Sequence, residues 1–173
     1  FRESKAERAK DPTLKGPLRG KVFPICVVKH SEGAALRKYK GGVVFQGNNV
    51  RDEFGLHALF PDQGSGASFM TASRCMDAIS LLRGCTGQQS DAPQAYVQAP
   101  LGTGLEGEIQ KTYVEIPRDQ WPKHWIGKYK DPVCPLVLAL YGHPLSGTYW
   151  ENYYTKKLLD HCGFERISGW ECM

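Results

Sequence analysis

The chain has 173 residues, which fits one domain or slightly more, and 41% hydrophobic with 23% charged residues is typical of a globular protein. No stretch approaches the ~18 consecutive apolar residues of a membrane span, and the polar N-terminus lacks an apolar signal segment, so we expect neither a membrane protein nor a secretory leader. The net charge of +4 is uneven, since residues 1–51 hold 12 Lys/Arg against 4 Asp/Glu and the others hold 10 against 14. This basic third indicates a polyanionic partner such as nucleic acid, although a solvated tail would give the same excess.

The first third of the chain predicts a linker followed by a β-hairpin. Residues 1–20 lack hydrophobic periodicity and predict a disordered basic linker that is dispensable for folding. The β-branched run 22–28 predicts a strand, in which Pro24 favours an edge position. A turn signal at 30–33 separates it from a second predicted strand at 39–45, and the hairpin carries lysines near one end.

The middle of the chain predicts a loop and then a helix. Residues 47–66 have the composition of a loop, and Phe54 and Phe60 are expected to pin it to the core. From residue 67 to 82 the apolar residues recur every three or four positions, which predicts an amphipathic helix ended by Gly84. A weak strand is expected at 85–92.

The second half predicts strands around one further helix. Short apolar runs predict strands at 113–116, 133–141 and 164–173, and residues 148–162 predict a helix with one stripe formed by Trp150, Tyr154, Leu158 and Cys162. The element order β-β-α-β-β-β-α-β predicts an α+β fold, with an antiparallel sheet carrying helices on one face.

Several familiar motifs are weak or absent. Residues 102–107 match G-x-G-x-x-G, but no helix is predicted to follow, so a flexible turn is favoured over a dinucleotide loop. The five histidines do not pair at metal-ligand spacing, and no nucleophile elbow is present. The six cysteines stand apart without a C-x-x-C pair, which favours reduced thiols and a cytoplasmic or nuclear location.

Two segments carry chemistry. In the first, Asp91 precedes Tyr96 by five residues, and a carboxylate near an aromatic ring can hold a divalent cation beside a nucleotide pocket. A lone aspartate is also a common turn or cap residue. In the second, residues 140–150 read LYGHPLSGTYW, a glycine turn that opens an aromatic helix.

Taken in order, these segments resemble the reverse transcriptase domain of Ty1/copia-type retrotransposon polyproteins. Five motifs carry the resemblance: residues 37–47 are similar to the fingers motif R-Y-K-A-R-L-V-A-K-G, 91–97 to D-V-K-T-A-F-L, 108–117 to E-E-I-Y-M-x-x-P, 140–150 to L-Y-G-L-K-Q-A-P-R-x-W, and 163–164 to a following G-F. The resemblance covers residues 22–173. It implies fingers at 21–66 and part of a palm at 67–173.

The resemblance implies an RNA-directed DNA polymerase, a nucleotidyltransferase that uses two Mg²⁺ ions held by three carboxylates. Its partners would be an RNA template, a DNA primer and deoxynucleotides, with no membrane. The implied roles fall on six residues: Asp91 as the first metal ligand, Tyr96 under the nucleotide sugar, Lys38 and Lys40 on triphosphate or template phosphate, and Tyr141 and Gly142 along the nucleotide and template side of the site. The basic hairpin adds Lys29 and Arg37 as expected nucleic-acid contacts.

The chain departs from the family pattern at several positions. It ends before the Asp-Asp turn that supplies the other two carboxylates, and Gly42 stands where the fingers motif has arginine. We therefore expect the chain to be an inactive fragment of such a polymerase or a decayed copy. A non-catalytic nucleic-acid-binding module and a structural remnant of a retroelement are the alternatives, and the reading frame on either side would separate them.

Overall fold

The computed structural model describes residues 15–60, 70–102 and 110–168, together with Arg2, Ala6, Ala9 and Lys10. Its strands and longer helices are β1 (Leu18–Lys29), β2 (Lys38–Phe45), α1 (Met70–Ser80), β3 (Thr112–Glu115), β4 (Val133–Pro135) and α2 (Ser146–Cys162). The predicted α+β class is therefore confirmed. Within this described part, no helix is long and apolar enough to cross a membrane.

The four strands form one mixed sheet in the order β2-β1-β3-β4. β1 pairs antiparallel with β2 and parallel with β3, and β3 pairs antiparallel with β4. The prediction of a wholly antiparallel sheet is wrong at the β1–β3 pair. Those strands are separated by a long connection, and a parallel pair needs such a crossover where an antiparallel one can use a tight turn.

The first strand begins earlier than its sequence pattern predicts. β1 starts at Leu18, so the last three residues assigned to the linker belong to the sheet. Leu18 pairs with Thr112 and is only 3% exposed, and Pro17 beside it is fully buried. Gly20 is untypical of a strand, so the sequence pattern did not predict this part of β1. Glycine fits at this position because the Phe45 ring occupies the space where a larger residue would place its Cβ.

Pro24 was predicted to lie on an edge strand, and only the part of β1 that contains it has an unpaired edge. Residues 18–21 pair with β3, and Arg19 also forms an isolated bridge with Arg51, whereas residues 22–29 pair with β2 alone. The Gln46 amide donates to the Lys21 carbonyl, and alternation along an antiparallel ladder then puts Pro24 opposite Val43 in a pair that exchanges no hydrogen bonds. The missing N–H of Pro24 therefore costs the β1–β2 ladder no hydrogen bond.

The buried side chains form two clusters. The first packs Leu18, Val22, Phe45, Val50 and Val114 at the base of the sheet, and the second packs Ala99, Ala139 and Tyr149 at the start of α2. Phe60 packs against the first cluster, as predicted. Phe54 is 77% exposed, so the prediction that it holds the loop to the core is wrong.

Among the described residues neither helix contacts a strand of the sheet, so the predicted placement of helices on one face differs from the structure. α2 packs on the short 3-10 helix Ala95–Gln98, with Tyr149 and Thr155 buried. Of the predicted stripe, Trp150 packs against the second cluster, whereas Cys162 is exposed. α1 buries no side chain and contacts none of the other helices and strands among the described residues.

Three predicted strands differ from the structure. Residues 85–92 and 164–168 contain no strand, and the run at 133–141 is a strand only as far as Pro135. Proline there ends the ladder, although Leu138 still forms an isolated bridge with Pro100. The predictions for residues 61–69, 103–109 and 169–173 fall outside the described residues.

Candidate nucleotide and nucleic-acid site

Two tyrosines from distant segments meet at the centre of the candidate site. Their ring centroids, Tyr96 and Tyr141, are 4.6 Å apart at an interplanar angle of 40°. Tyr96 lies on the 3-10 helix Ala95–Gln98, and Tyr141 lies in the turn before α2. A tilted aromatic pair at this separation is a favourable arrangement, and Tyr141 remains 42% exposed.

Backbone hydrogen bonds hold the two tyrosine segments side by side. The Ala139 amide donates to the Ala99 carbonyl at 2.8 Å, and the Leu101 amide donates to the Val137 carbonyl at 2.8 Å. The Gln98 side-chain amide, which follows Tyr96, donates to the carbonyl of Pro93, which precedes it, at 2.7 Å. Hydrogen bonds on both sides of Tyr96 therefore fix its position.

The turn that carries Tyr141 sits directly on the end of β2. The Phe45 amide donates to the Tyr141 carbonyl at 2.7 Å. Gly142 has φ +89°, and a Cβ there would overlap the Phe45 carbonyl oxygen and approach a Val44 methyl at 2.9 Å. A Cβ on Gly47 would in turn overlap the Gly142 carbonyl oxygen. Close backbone packing therefore requires glycine at both positions.

His143 anchors the same turn from inside the protein, a role that no sequence motif predicted. The side chain is 5% exposed and contacts the rings of Phe45, Phe60 and Tyr149. The Leu145 amide donates to its Nδ1 at 3.2 Å, so the proton of the neutral ring lies on Nε2, which faces the Thr112 hydroxyl at 3.5 Å. Burial lowers the pKa of His143 from 6.5 to about 4, and burial also raises the pKa of Tyr149.

We expect His143 to make the protein sensitive to mild acid. The unfolded chain binds a proton near pH 6.5 and the folded chain only near pH 4, so unfolding takes up a proton between these values. The stabilisation is complete above pH 6.5 and falls by up to about 3 kcal/mol as the pH decreases to 4. Urea unfolding between pH 4 and 6.5 measures the slope of the unfolding free energy against pH. The wild type should show this slope, and His143→Gln should lose most of it.

The exposed His124 provides the control for this experiment. His124→Gln should keep the wild-type pH slope, because this substitution leaves the buried His143 and its ring contacts in place. An equal slope in wild type and His143→Gln would show that other groups cause the acid sensitivity.

Asp91, the predicted metal ligand, lies in the irregular segment before this tyrosine pair. Its side chain is exposed, and it makes no hydrogen bond or ion pair within the described part of the chain. No group of three or more His, Cys, Asp or Glu residues that could hold a metal ion occurs among the described residues. One carboxylate fits a role as a single ligand of a nucleotide-bound Mg²⁺, but it does not make a two-ion site.

The predicted phosphate-binding lysines lie on a projecting β-ribbon formed by residues 22–29 and 38–45. Beyond Val22 the β1 half of this ribbon is exposed, so the ribbon extends from the sheet into solvent. Lys29 and Lys38 are directly opposite each other, and Lys40 follows on the same face. No ion pair neutralises these lysines among the described residues.

Direct opposition of like charges destabilises an antiparallel pair, so the end of the ribbon is a place where a bound anion would relieve repulsion. Arg37 lies at the same end, and its guanidinium donates to the Ser31 carbonyl at 3.4 Å. The predicted site is thus divided into two separate parts, the end of the ribbon and the tyrosine pair. Lys40 is five residues along β2 from Phe45, which contacts the Tyr141 turn, a separation of roughly 17 Å.

The chain also has a cationic and aromatic segment that the motif analysis passed over, residues 118–130, with the sequence RDQWPKHWIGKYK. Its signal was the alternation of basic and aromatic residues. Comparison with known protein families, curated proteins and solved structures finds no match for this chain.

Proposed function

We propose that this chain is the fingers and the first part of the palm of a copia-type reverse transcriptase, and that it is inactive as a polymerase on its own. The β-ribbon would hold the phosphates of template and primer through Lys29, Arg37, Lys38 and Lys40. Tyr96 and Tyr141, with Gly142 beside them, would form the wall of the deoxynucleotide pocket. Such a protein would work in the cytoplasm or the nucleus.

The contact between Tyr96 and Tyr141 carries this proposal. The resemblance assigned these two residues separately to the nucleotide pocket, and their ring centroids are 4.6 Å apart. The fingers motif, residues 37–47, supports the same arrangement, because the Phe45 amide within it donates a hydrogen bond to the Tyr141 carbonyl. A rigid tyrosine under the sugar would obstruct a 2′-hydroxyl and so select deoxynucleotides.

Asp91 would bind one Mg²⁺ together with the nucleotide phosphates, and the ion would supply charge neutralisation at the triphosphate. Its exposed carboxylate is accessible to such a ligand. Because this chain provides one of the three carboxylates of the family, we expect no primer extension from the purified chain with Mg²⁺. The second candidate, a non-catalytic nucleic-acid-binding module, is favoured by the unpaired lysines of the ribbon and needs no carboxylate.

We expect the ribbon to bind an RNA–DNA hybrid without sequence preference and with strong salt dependence. Neutralising about three phosphates gives a slope of log affinity against log salt of roughly −2 to −3. Replacing Lys38 and Lys40 together with alanine should reduce that slope by about one to two units, since each contacts a phosphate and neither a base. Fluorescence anisotropy of a labelled hybrid measures both slopes.

A double replacement of Lys156 and Lys157 with alanine on α2 is the matched control, because it removes two exposed charges away from the ribbon. It should leave the slope unchanged. A flat salt response of the wild type, or equal slopes for wild type and the ribbon variant, would leave a structural remnant as the better description.

A further inference from the structure

Residues 118–130 form a compact aromatic cluster beside β3. The Trp121 indole N–H donates to the Ile116 carbonyl at 2.8 Å, which fixes that ring to the end of β3. Trp125 contacts Trp121 edge-on with centroids 6.4 Å apart, and Tyr129 contacts Trp125 with centroids 6.1 Å apart. Tyr129 is 45% exposed and Ile126 is 61% exposed, so the cluster has an open outer surface.

Cations lie directly over these rings. The Arg118 guanidinium carbon is 5.8 Å from the Trp121 ring centroid, and the Lys128 ammonium is 5.3 Å from the Tyr129 ring centroid. A ring that has a charged group over its face is open to water on that face, because the ammonium or guanidinium stays hydrated. A flat ligand can therefore displace the cation and stack on the same ring.

Two adjoining clefts connect this cluster with the base of the ribbon. One, of about 400 Å³, is lined by Lys21, Arg118, Trp121 and Lys130 among others. The other, of about 450 Å³, is lined by Arg19, Lys128, Tyr129 and Lys130 among others. Each has the size of a small-ligand site, and the two share Lys130 and Asp131.

The charge of this surface is positive after its ion pairs are counted. Glu115 is bound by Arg19 at 2.6 Å and lies 4.0 Å from Lys21, so this one carboxylate offsets one of the two positive charges. Arg118, Lys128 and Lys130 remain without a carboxylate partner among the described residues, and the acidic residues that line the two clefts are Glu115 and Asp131. The surface therefore favours a polyanion.

We infer that the Trp121–Tyr129 surface binds single-stranded nucleic acid by stacking bases on its aromatic rings while Arg118, Lys128 and Lys130 contact the phosphates. Exposed rings interleaved with cations are the combination that sequence-independent single-strand binding uses. A duplex would present phosphates but no free base face. The surface is separate from the tyrosine pair and from the lysines of the ribbon, so this inference does not depend on the polymerase proposal.

The test uses the full chain and two labelled oligonucleotides of ~12 nucleotides, one of deoxythymidine and one of uridine, measured by anisotropy and by tryptophan fluorescence. Both strands should bind with similar affinity and quench tryptophan, because stacking and phosphate contacts do not read the sugar. Tyr129→Ala should weaken binding roughly five- to tenfold. Replacing Lys128 and Lys130 with alanine should reduce the salt slope by about 1.4 units, two phosphates at ~0.7 each.

Phe164→Ala, which removes an exposed aromatic ring after α2, should leave both strands bound as in the wild type. The Lys38 and Lys40 double variant should retain the tryptophan quenching, which separates this surface from the ribbon. Binding without quenching, or quenching equally strong with a duplex, would overturn the inference. So would an affinity unchanged by both Tyr129→Ala and the Lys128 and Lys130 replacement.

Discussion

Removal of residues 1–20 should destabilise the protein severely, by about 4 kcal/mol or more, or prevent folding altogether. The deletion takes Leu18 out of the first core cluster, removes the fully buried Pro17 and leaves Phe45 and Val114 partly uncovered. Truncating a buried leucine alone costs about 3–5 kcal/mol, and this deletion also removes most of the parallel pairing between β1 and β3. Thermal unfolding followed by circular dichroism gives the measurement.

Removal of residues 1–14 is the matched control, because it leaves the whole of β1 in place. This shorter deletion should change the melting temperature by only a few degrees. The melting temperature of Leu18→Ala in the full chain should lie between those of the two deletion variants. If the chain lacking residues 1–20 melted like the wild type, Leu18 would not belong to the cooperative core, and the linker predicted from composition would be correct to its last residue.

Gly142→Ala should cost about 3 kcal/mol of stability. Its backbone has φ +89°, which costs about 1–2 kcal/mol for a residue with a Cβ, and the added carbon would overlap the Phe45 carbonyl oxygen. Because backbone atoms on both sides form the contact, neither can move without breaking the Phe45–Tyr141 hydrogen bond. Urea unfolding of the variant measures the loss.

Gly127→Ala separates the two causes of that loss. Gly127 also has a positive φ, +80°, but a Cβ there would meet nothing within 4 Å. It should cost only about 1 kcal/mol, the backbone component alone. Equal losses at Gly127 and Gly142 would mean that the Tyr141 turn relaxes away from β2 easily, and the packing of the two segments would then not hold the tyrosine pair in place.

The elements predicted correctly are those whose determinants are local. The hairpin was marked by two β-branched runs around a turn, and both helices were marked by their apolar spacing. The parallel pairing of β1 with β3 could not be read from either strand, because it depends on which distant segment covers Leu18. The buried face of α2 was predicted only in part, because Trp150 of the predicted stripe packs against the second cluster but the buried side chains include Tyr149 and Thr155, which lie outside that stripe.

Motif similarity named the residues of the candidate site but not its geometry. It placed Tyr96 and Tyr141 at the nucleotide site, and their rings are in contact, whereas Lys38 and Lys40, assigned to triphosphate or template phosphate, lie on the ribbon away from that pair. His143 carried no signal, since a histidine between glycine and proline is as compatible with an exposed turn as with a buried one. Its role follows from the rings that surround it.

The comparison of dATP with ATP binding tests the polymerase proposal most directly, because these nucleotides differ only in the 2′-hydroxyl. Saturation-transfer NMR with Mg²⁺ should show the wild type binding dATP roughly tenfold more tightly than ATP. Tyr96→Ala should remove that preference, and Tyr39→Ala, an exposed tyrosine on the ribbon, should keep it. Equal binding of the two nucleotides by the wild type, or a preference that persists in Tyr96→Ala, would contradict the proposed role of the tyrosine pair and favour a nucleic-acid-binding module without a nucleotide pocket.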